Sequence, residues 1–355
     1  MGLCCGLIGL PYCGKTTIFN AITAARAPMH NGFRMNRVVV NVPDERMESL
    51  VAMYHPAKVV PATLEVVDIP GAKAEEDGAR SRLLGSVKDV NVLLHVLRCF
   101  EDGGVLGGPD PVRDIETVDL ELVTADSATL ENRLGRLAKK LRSGDEDAIR
   151  EAASCQKVLD GIQKGIPARK QRLTVQELTS IHECNLVSLK PVLYIANMRT
   201  AADAGSKHVQ ALKQAAEGEG AQALTICGKD EADIAELEPE ERDAFRKELG
   251  IMQSAMERLL YAAYRGLGLI NFFTTGEDEV RAWTCHQRDK APVAAGKIHS
   301  DMESGFIRME VMRYCDLVEL GSETAVAKAG KHRVEGREYE VQDGDIVSVL
   351  FNGKG

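Results

Sequence analysis

The first part of the chain alternates between short apolar runs and longer amphipathic segments. Four runs rich in Val, Ile and Leu have strand length: LCCGLIGL (3–10), RVVVNVP (37–43), TLEVVDI (63–69) and VNVLLHVL (90–97). Such runs suit strands that are buried on both faces of a sheet. PVLYIAN (191–197) and ALTIC (223–227) continue the series after a long interruption. The alternation predicts an α/β fold with a parallel-rich sheet and helices on both faces.

The interruption, residues 119–188, carries a helical pattern instead. Its leucines recur at heptad spacing, at Leu130, Leu134, Leu137 and Leu141. SGDED (143–147) then supplies a turn, and a second apolar stripe follows over 149–166. The pattern predicts an antiparallel helical hairpin inserted into the α/β domain.

A third region follows a predicted helix at about 252–265 and the glycines at 266 and 268. It contains strand-like runs such as EVRAWTC and DIVSVLF, separated by Gly-rich turns. We therefore expect a split nucleotide-binding domain over 1–118 and 189–268, the hairpin over 119–188, and a small α+β domain over 269–355.

Composition narrows the class of protein. Nine scattered cysteines without a CxxC pair favour reduced thiols over a disulfide framework or a zinc site. No basic leader precedes the first apolar run, and no apolar run approaches the roughly 20 residues of a membrane span. These features predict a cytoplasmic protein that does not enter the membrane.

The net charge of −9 argues against a generic nucleic-acid-binding protein, but the charge is unevenly distributed. Residues 133–172 hold eleven Lys or Arg against five Asp or Glu. Lys139, Lys140 and Arg142 lie at the predicted tip of the hairpin. A local basic element on an acidic body suits contact with a phosphate backbone, although it could also be a solvated helix face.

The strongest motif is GLPYCGKT at 9–16, which satisfies GxxxxGK[ST] between a buried strand and a helix. In such a loop backbone N–H groups surround phosphates, Lys15 reaches the β- and γ-phosphate oxygens, and Thr16 ligates Mg²⁺. The predicted phosphate-binding residues are Gly9, Leu10, Pro11, Tyr12, Cys13, Gly14, Lys15, Thr16 and Thr17.

A second motif, VVDIPG at 66–71, places Asp68 at the end of a strand and Gly71 three residues later. This DxxG arrangement predicts that Asp68 holds Mg²⁺ through a water and that Gly71 senses the γ-phosphate. Lys15, Asp68 and Gly71 are therefore the predicted catalytic residues. The next residue is Ala72, where many GTPases carry a Gln that orients the attacking water.

The base-reading loop should follow the strand PVLYIAN. It begins Asn197-Met198-Arg199-Thr200, and the carboxylate of the guanine-reading NKxD pattern is absent at its fourth position. Asn197, Met198, Cys227 and Gly228 are the predicted neighbours of the base.

Taken together, these motifs resemble those of the YchF/Obg-like ATPase family, over nearly the whole chain. The segments that show the resemblance are GLPYCGKTTIFNAIT, VPDERM, VVDIPG, HVLRCFED, EADIAELEPEERDAF, APVAAGKIHSDMESGFIRMEV and VQDGDIVSVLFN. The resemblance implies a P-loop domain, a helical hairpin and a C-terminal TGS domain of β-grasp type. It also implies a monomer that prefers ATP to GTP, uses Mg²⁺ with K⁺ as a further candidate, and associates with ribosomes in translational or stress control.

The chain departs from the family pattern where hydrolysis and switching are concerned. Thr200 replaces a Glu, 24–48 contain no Ser or Thr, the segment after DIPG is short, and the loop after CFED lacks a His. Two hypotheses remain open: a slow ribosome-associated ATPase, or an ATP-binding scaffold that scarcely cleaves its nucleotide. A GTPase is a weaker third.

Two further side chains carry alternatives. Cys13 could be an oxidation sensor, because Lys15 and a helix N-terminus lower a thiol pKa, or it could be a small packing residue. His299, in IHSD, is expected to be structural rather than catalytic.

Overall fold

The computed structural model describes residues 3–23, 36–69, 85, 87–102, 107–238, 241–242, 244–245 and 254–353. Its strands β1 to β12 are, in order, Cys4–Ile8, Asn36–Asn41, Lys58–Val60, Thr63–Asp68, Val92–Arg98, Val192–Asn197, Gln222–Ile226, Leu269–Thr274, Glu279–His286, Phe306–Arg313, Arg333–Glu335 and Asp345–Phe351. Helices α1 to α12 are Lys15–Thr23, Glu45–Tyr54, Pro111–Arg142, Glu146–Ile162, Val175–Ile181, Lys207–Gly218, Gly228–Glu236, Ala255–Gly266, Ala291–Ile298, Ser300–Ser304, Tyr314–Leu320 and Glu323–Lys328.

The first sheet has the strand order β2-β4-β1-β5-β6-β7. Strand β1 pairs in parallel with β4 and β5, and β6 pairs in parallel with β5 and β7. Every residue of β1 and of β5 is buried, as their apolar runs predict. The α/β fold with a parallel-rich sheet is confirmed.

The hairpin is formed by α3 and α4, joined by a turn at 143–145. Helix α3 begins earlier than the predicted boundary at 119, because the Asp110 side chain accepts a hydrogen bond from the Arg113 backbone N–H and Pro111 suits the first turn. Its first half packs into the α/β core, with Val118 beside strand residues. Its second half, with Leu130, packs against α4.

The second sheet has the order β11-β10-β12-β8-β9-β3 and mixes parallel with antiparallel pairs. Helix α9 covers it over a core that includes Phe272 and Met309. The predicted small α+β region at the C-terminus is thus observed.

The chain divides into two compact units, Met1–Val39 with Glu65–Leu259 and Val40–Leu64 with Leu260–Gly355. In this division 40–64 belong to the C-terminal unit, whereas the sequence prediction placed them in the nucleotide-binding domain. Strand β3 pairs with β9, Lys58 opposite Glu279. Within the described residues, no helix combines the length and apolarity needed to cross a membrane.

The VPDERM motif lies in the second unit, where it forms a polar cluster. The Asp44 carboxylate accepts hydrogen bonds from Arg46 and from the Asn271 amide, the latter at 3.0 Å. Arg46 also reaches Asp343 at 3.1 Å. The motif therefore holds the segment to the C-terminal strands, and its charged residues serve folding there.

Candidate nucleotide site

The phosphate loop lies at the carboxyl edge of the first sheet. It follows β1, whose parallel neighbours β4 and β5 lie on opposite sides, so the chain switches direction across the sheet at this point. Ligands of open α/β sheets bind at such switch points, outside the carboxyl ends of the strands. Asp68 and Asn197, the last residues of β4 and β6, lie at the same edge.

The backbone of the loop requires glycine at its two ends. Gly9 has a φ of 147°, and a Cβ there would lie 2.4 Å from the Val96 carbonyl oxygen. Gly14 has a φ of 93°, and its Cβ would lie 2.1 Å from the Asn197 side-chain nitrogen. Tyr12, at the crown, also has a positive φ, 65°, and its side chain is exposed. The loop is thus a close-packed cradle that side chains at its ends would obstruct.

Lys15, Thr16 and Asp68 converge above this loop. The Lys15 ammonium donates to the Gly9 carbonyl at 2.9 Å, and the Thr16 hydroxyl donates to Asp68 Oδ2 at 3.3 Å. Asp68 Oδ1 is buried and has no hydrogen-bond partner among the described residues. Burial raises the pKa of Asp68, against the lowering effects of Lys15 and Thr16.

These groups fit a magnesium ion. Mg²⁺ takes oxygen ligands, usually one or two protein oxygens besides phosphates and waters. A buried carboxylate oxygen without a partner, beside a hydroxyl at the start of a helix, offers that donor set. Thr16 and Asp68 are therefore the residues that could hold the ion.

Asn197 joins the phosphate loop to the loop that precedes α7. Its amide nitrogen donates to the Cys13 carbonyl at 2.9 Å, and its amide oxygen accepts from the Gly228 N–H at 3.1 Å. Because both ends of the buried amide are occupied, its role here is to fix these two loops. The sequence predicted Asn197 at a base, and the packing that explains it could not be read from the motif.

The structure corrects the predicted role of the Met198 side chain. Met198 is buried in an apolar cluster with Leu97, Tyr194 and Val209, so this side chain offers no surface to a base. Cys227, by contrast, is half-buried and precedes α7. Burial raises the pKa of Cys227 to about 11, so its thiol is neutral at physiological pH.

A carboxylate near the base loop was missed by the sequence interpretation. Asp203 Oδ2 accepts hydrogen bonds from both the backbone N–H and the hydroxyl of Thr200, at 3.0 and 3.2 Å. Together these residues form a capping box on a short 3-10 turn. Asp203 lies three residues beyond the fourth position of the NKxD pattern, where a motif search does not look.

The remaining predicted residues of the loop take different positions. Leu10 packs against the core, Pro11 is exposed, and Thr17 is half-buried in α1. Cys13 is buried, and this burial raises the pKa of its thiol despite nearby Lys15. The burial of Cys13 favours the packing interpretation over the oxidation-sensor interpretation.

Arg98 is a charged residue at the same edge that the sequence interpretation did not single out. It ends β5 and is buried, and its Nη2 donates to the Gly107 carbonyl at 2.9 Å. Its Nη1 has no partner in the part of the chain that the structure describes. Its signal in the sequence is a cation that closes an otherwise apolar strand. The His299 Nδ1 accepts a hydrogen bond from the Asp301 N–H at 3.2 Å, which suits the expected structural role.

Gly71 and Ala72 lie outside the described residues, as do 24–35 and 103–106. Three statements therefore remain predictions from sequence. They concern Gly71 as the γ-phosphate sensor, the absence of a switch Ser or Thr over most of 24–48, and the absence of a His from the loop after CFED.

The basic residues of the hairpin separate into two groups. Five of the eleven pair with acidic side chains: Arg133, Arg150, Lys157, Arg169 and Lys170. The other six are exposed: Arg136, Lys139, Lys140, Arg142, Lys164 and Arg172. Three of them, Lys139, Lys140 and Arg142, lie in the last turn of α3. Cations there also offset the negative end of the helix dipole.

Family models match two parts of the chain. Residues 4–134 match a model described as a 50S ribosome-binding GTPase. Residues 269–352 match the YchF GTPase C-terminal model, described as a protein of unknown function, DUF933.

Individual proteins match over the full length. The chain is 40% identical to the ribosome-binding ATPase YchF of Bacillus subtilis, over 99% of this chain and 100% of that protein. The Escherichia coli O157:H7 protein of the same name is 37% identical with the same coverage. The solved structure of the Schizosaccharomyces pombe YchF GTPase superposes with a TM-score of 0.86 at 32% identity, over 98% of each chain. The chain belongs to the YchF family of ribosome-binding ATPases.

Proposed function

We propose that this protein binds ATP with Mg²⁺, hydrolyses it slowly, and associates with the ribosome in a nucleotide-dependent way. The observation that carries the proposal is the convergence of Lys15, Thr16 and the unpartnered Asp68 oxygen at the phosphate loop. The names of its relatives, ribosome-binding ATPases, support the partner and the nucleotide.

The reaction is attack of water on the γ-phosphate, and this chain contributes positioning and charge. On ATP binding, the Lys15 ammonium exchanges its bond with the Gly9 carbonyl for bonds to β- and γ-phosphate oxygens. The loop amides and the N-terminus of α1 hold the remaining phosphate oxygens. A bound Mg²⁺ would neutralise phosphate charge, and Thr16 and Asp68 are the residues that would hold it.

The slow rate follows from what is missing around the attacking water. Ala72 has no polar group with which to orient a water, and residues 24–48 offer no Ser or Thr hydroxyl. The sequence therefore retains the groups that bind phosphate and Mg²⁺ but lacks those that would orient the attacking water. A scaffold that holds ATP without cleaving it is the alternative that this deficit favours.

Adenine preference rests on the loop after β6. Thr200 replaces the carboxylate that would grip guanine, and the Asp203 carboxylate is already engaged by Thr200. GTP thus gains little over ATP at this site. The name of the yeast neighbour, a YchF GTPase, makes GTP the second nucleotide to test.

Ribosome contact is assigned to Lys139, Lys140 and Arg142, together with the C-terminal domain, which we interpret as a TGS domain. The exposed cations at the hairpin tip suit rRNA phosphates. A cytoplasmic monomer with K⁺ as an accessory ion completes the proposal.

Single-turnover hydrolysis of ATP, with and without ribosomes in potassium buffer, tests this function. We expect slow cleavage that ribosomes accelerate, and none in Lys15→Ala. Tight ATP binding without cleavage in either condition would replace the ATPase with the scaffold.

A further inference from the structure

Three metal-ligating side chains meet inside the hairpin, away from the nucleotide site. Glu151 and Cys155 lie one turn apart on α4, and Cys184 belongs to the short 3-10 turn after α5. Their ligand atoms all lie within 4.8 Å of one another. In the described part of the chain, this is the one group of three or more such side chains close enough to share an ion.

The geometry of the two thiols matches one edge of a tetrahedral metal site. Cys155 Sγ and Cys184 Sγ are 3.9 Å apart. Two zinc-bound sulfurs, each about 2.3 Å from the ion, lie about 3.8 Å apart in a tetrahedron. A disulfide would require the sulfurs to approach to about 2.0 Å, whereas an ion requires almost no movement.

The charges around the cluster also suit a divalent cation. Arg133 donates through Nε to Glu151 and through Nη2 to Glu183, the latter at 2.8 Å. Two thiolates and the carboxylates of Glu151 and Glu183 carry four negative charges, of which a divalent ion and the Arg133 guanidinium together neutralise three.

We infer that Cys155, Cys184 and Glu151 form a binding site for a soft divalent cation of the zinc class. Thiolates select such ions over Mg²⁺, so this site is chemically distinct from the one at Thr16 and Asp68. One Glu151 oxygen binds the ion while the other accepts from Arg133, which orients the carboxylate. Glu151 is half-buried, so water can occupy the fourth coordination position of the ion beside it.

The bound ion would fix α4 to the turn that carries Cys184. Both thiols are buried in the hairpin core, at 0% and 6% exposure. An ion that binds the folded hairpin and not the unfolded chain stabilises it by mass action. The site would therefore couple hairpin stability to the supply of a soft metal.

Cobalt substitution tests the inference on the full-length, reduced, metal-free protein. Titration with Co²⁺ should produce a sulfur-to-cobalt charge-transfer band that saturates at one ion per chain and is displaced by Zn²⁺. The band should be lost in Cys155→Ser and in Cys184→Ser. Cys285→Ser, a buried cysteine of the second unit, is the matched control and should keep it.

Thermal unfolding supplies a second readout that does not depend on the band. Zn²⁺ should raise the midpoint of wild type and of Cys285→Ser, leave that of Cys184→Ser unchanged, and have a larger effect than Mg²⁺. Arg133→Gln should weaken Co²⁺ binding about 10–100-fold, as loss of an outer partner does. Absence of the band in reduced wild type, or its survival in Cys155→Ser/Cys184→Ser, would overturn the site.

Discussion

At the scale of single residues, Asp68 is placed for binding at the expense of stability. Its Oδ1 is buried and finds no partner within the described ranges, and its pKa is raised chiefly by burial. A carboxylate in this state costs folding free energy when it is ionised. A cation beside it would remove that cost. The residue is thus better explained by a ligand than by packing.

Asp68→Asn should stabilise the nucleotide-free protein at neutral pH by on the order of 1 kcal/mol, because it removes a buried charge and keeps an acceptor for Thr16. A raised folded-state pKa means that the stability due to protonated Asp68 is present below 3.8 and is lost as pH rises through the folded pKa. The stability gained by Asp68→Asn should therefore vanish in acid and increase as the pH rises. Urea unfolding at several pH values checks this, and a gain independent of pH would contradict it.

Lys15→Ala should lower ATP affinity by at least tenfold, since each charged hydrogen bond lost to phosphate costs about 1.5–3 kcal/mol. Isothermal calorimetry with MgATP measures the change. Lys213→Ala, an exposed lysine on α6, is the matched control and should bind as wild type does. Unchanged affinity in Lys15→Ala would remove the phosphate-loop assignment.

The base loop gives a third prediction at this scale. Wild type should bind ATP several-fold tighter than GTP, and Asp203→Asn should leave that ratio almost unchanged, because Asp203 caps the turn at Thr200. Competition titrations with both nucleotides measure the ratio. GTP at least tenfold tighter in wild type, or a selective loss of GTP in Asp203→Asn, would make Asp203 a guanine reader.

At the scale of elements, the sequence predicts strands and loops that depend on neighbouring residues and misses those that depend on residues far away in the chain. The sequence predicted β1 and β5 because a strand that is buried on both faces is a continuous apolar run, which can be recognised without knowledge of its neighbours in the sheet. Strand β3 has three residues and pairs with β9, more than two hundred positions away, so no periodicity reveals it. The phosphate loop was predictable as a local motif, while the Asn197 bridge and the burial of Met198 depend on tertiary packing.

The hairpin carries a prediction of its own. Reversal of Lys139, Lys140 and Arg142 to Glu should weaken ribosome co-sedimentation and leave ATP affinity intact. The slope of log affinity against log salt should fall by about 0.7–0.9 for each phosphate that the variant no longer neutralises. Lys207→Glu/Lys213→Glu, on exposed positions of α6, is the control for net charge. Equal sedimentation of the triple variant and wild type would identify the basic tip as solvated surface.

At the scale of the whole molecule, the chain is built from two compact units. The unit built around the first sheet carries the phosphate loop, the Thr16–Asp68 pair and the hairpin. The other unit takes the VPDERM segment into its own fold through Asp44, Arg46 and Asn271. The VPDERM segment is therefore part of the C-terminal unit, although it lies within the Ser- and Thr-free region where the sequence analysis expected a nucleotide switch. The family match extends over both units.

The central claim is that this chain holds ATP through a phosphate loop completed by a Thr16–Asp68 magnesium site. Calorimetric titration of ATP, with Mg²⁺ and with chelator, into wild type, Thr16→Ala and Asp68→Asn tests it most directly. Mg²⁺ should tighten ATP binding in wild type, and both variants should lose most of that gain while they keep the chelator-condition affinity. Equal ATP affinity with and without Mg²⁺ in wild type, or an undiminished Mg²⁺ effect in both variants, would contradict the claim.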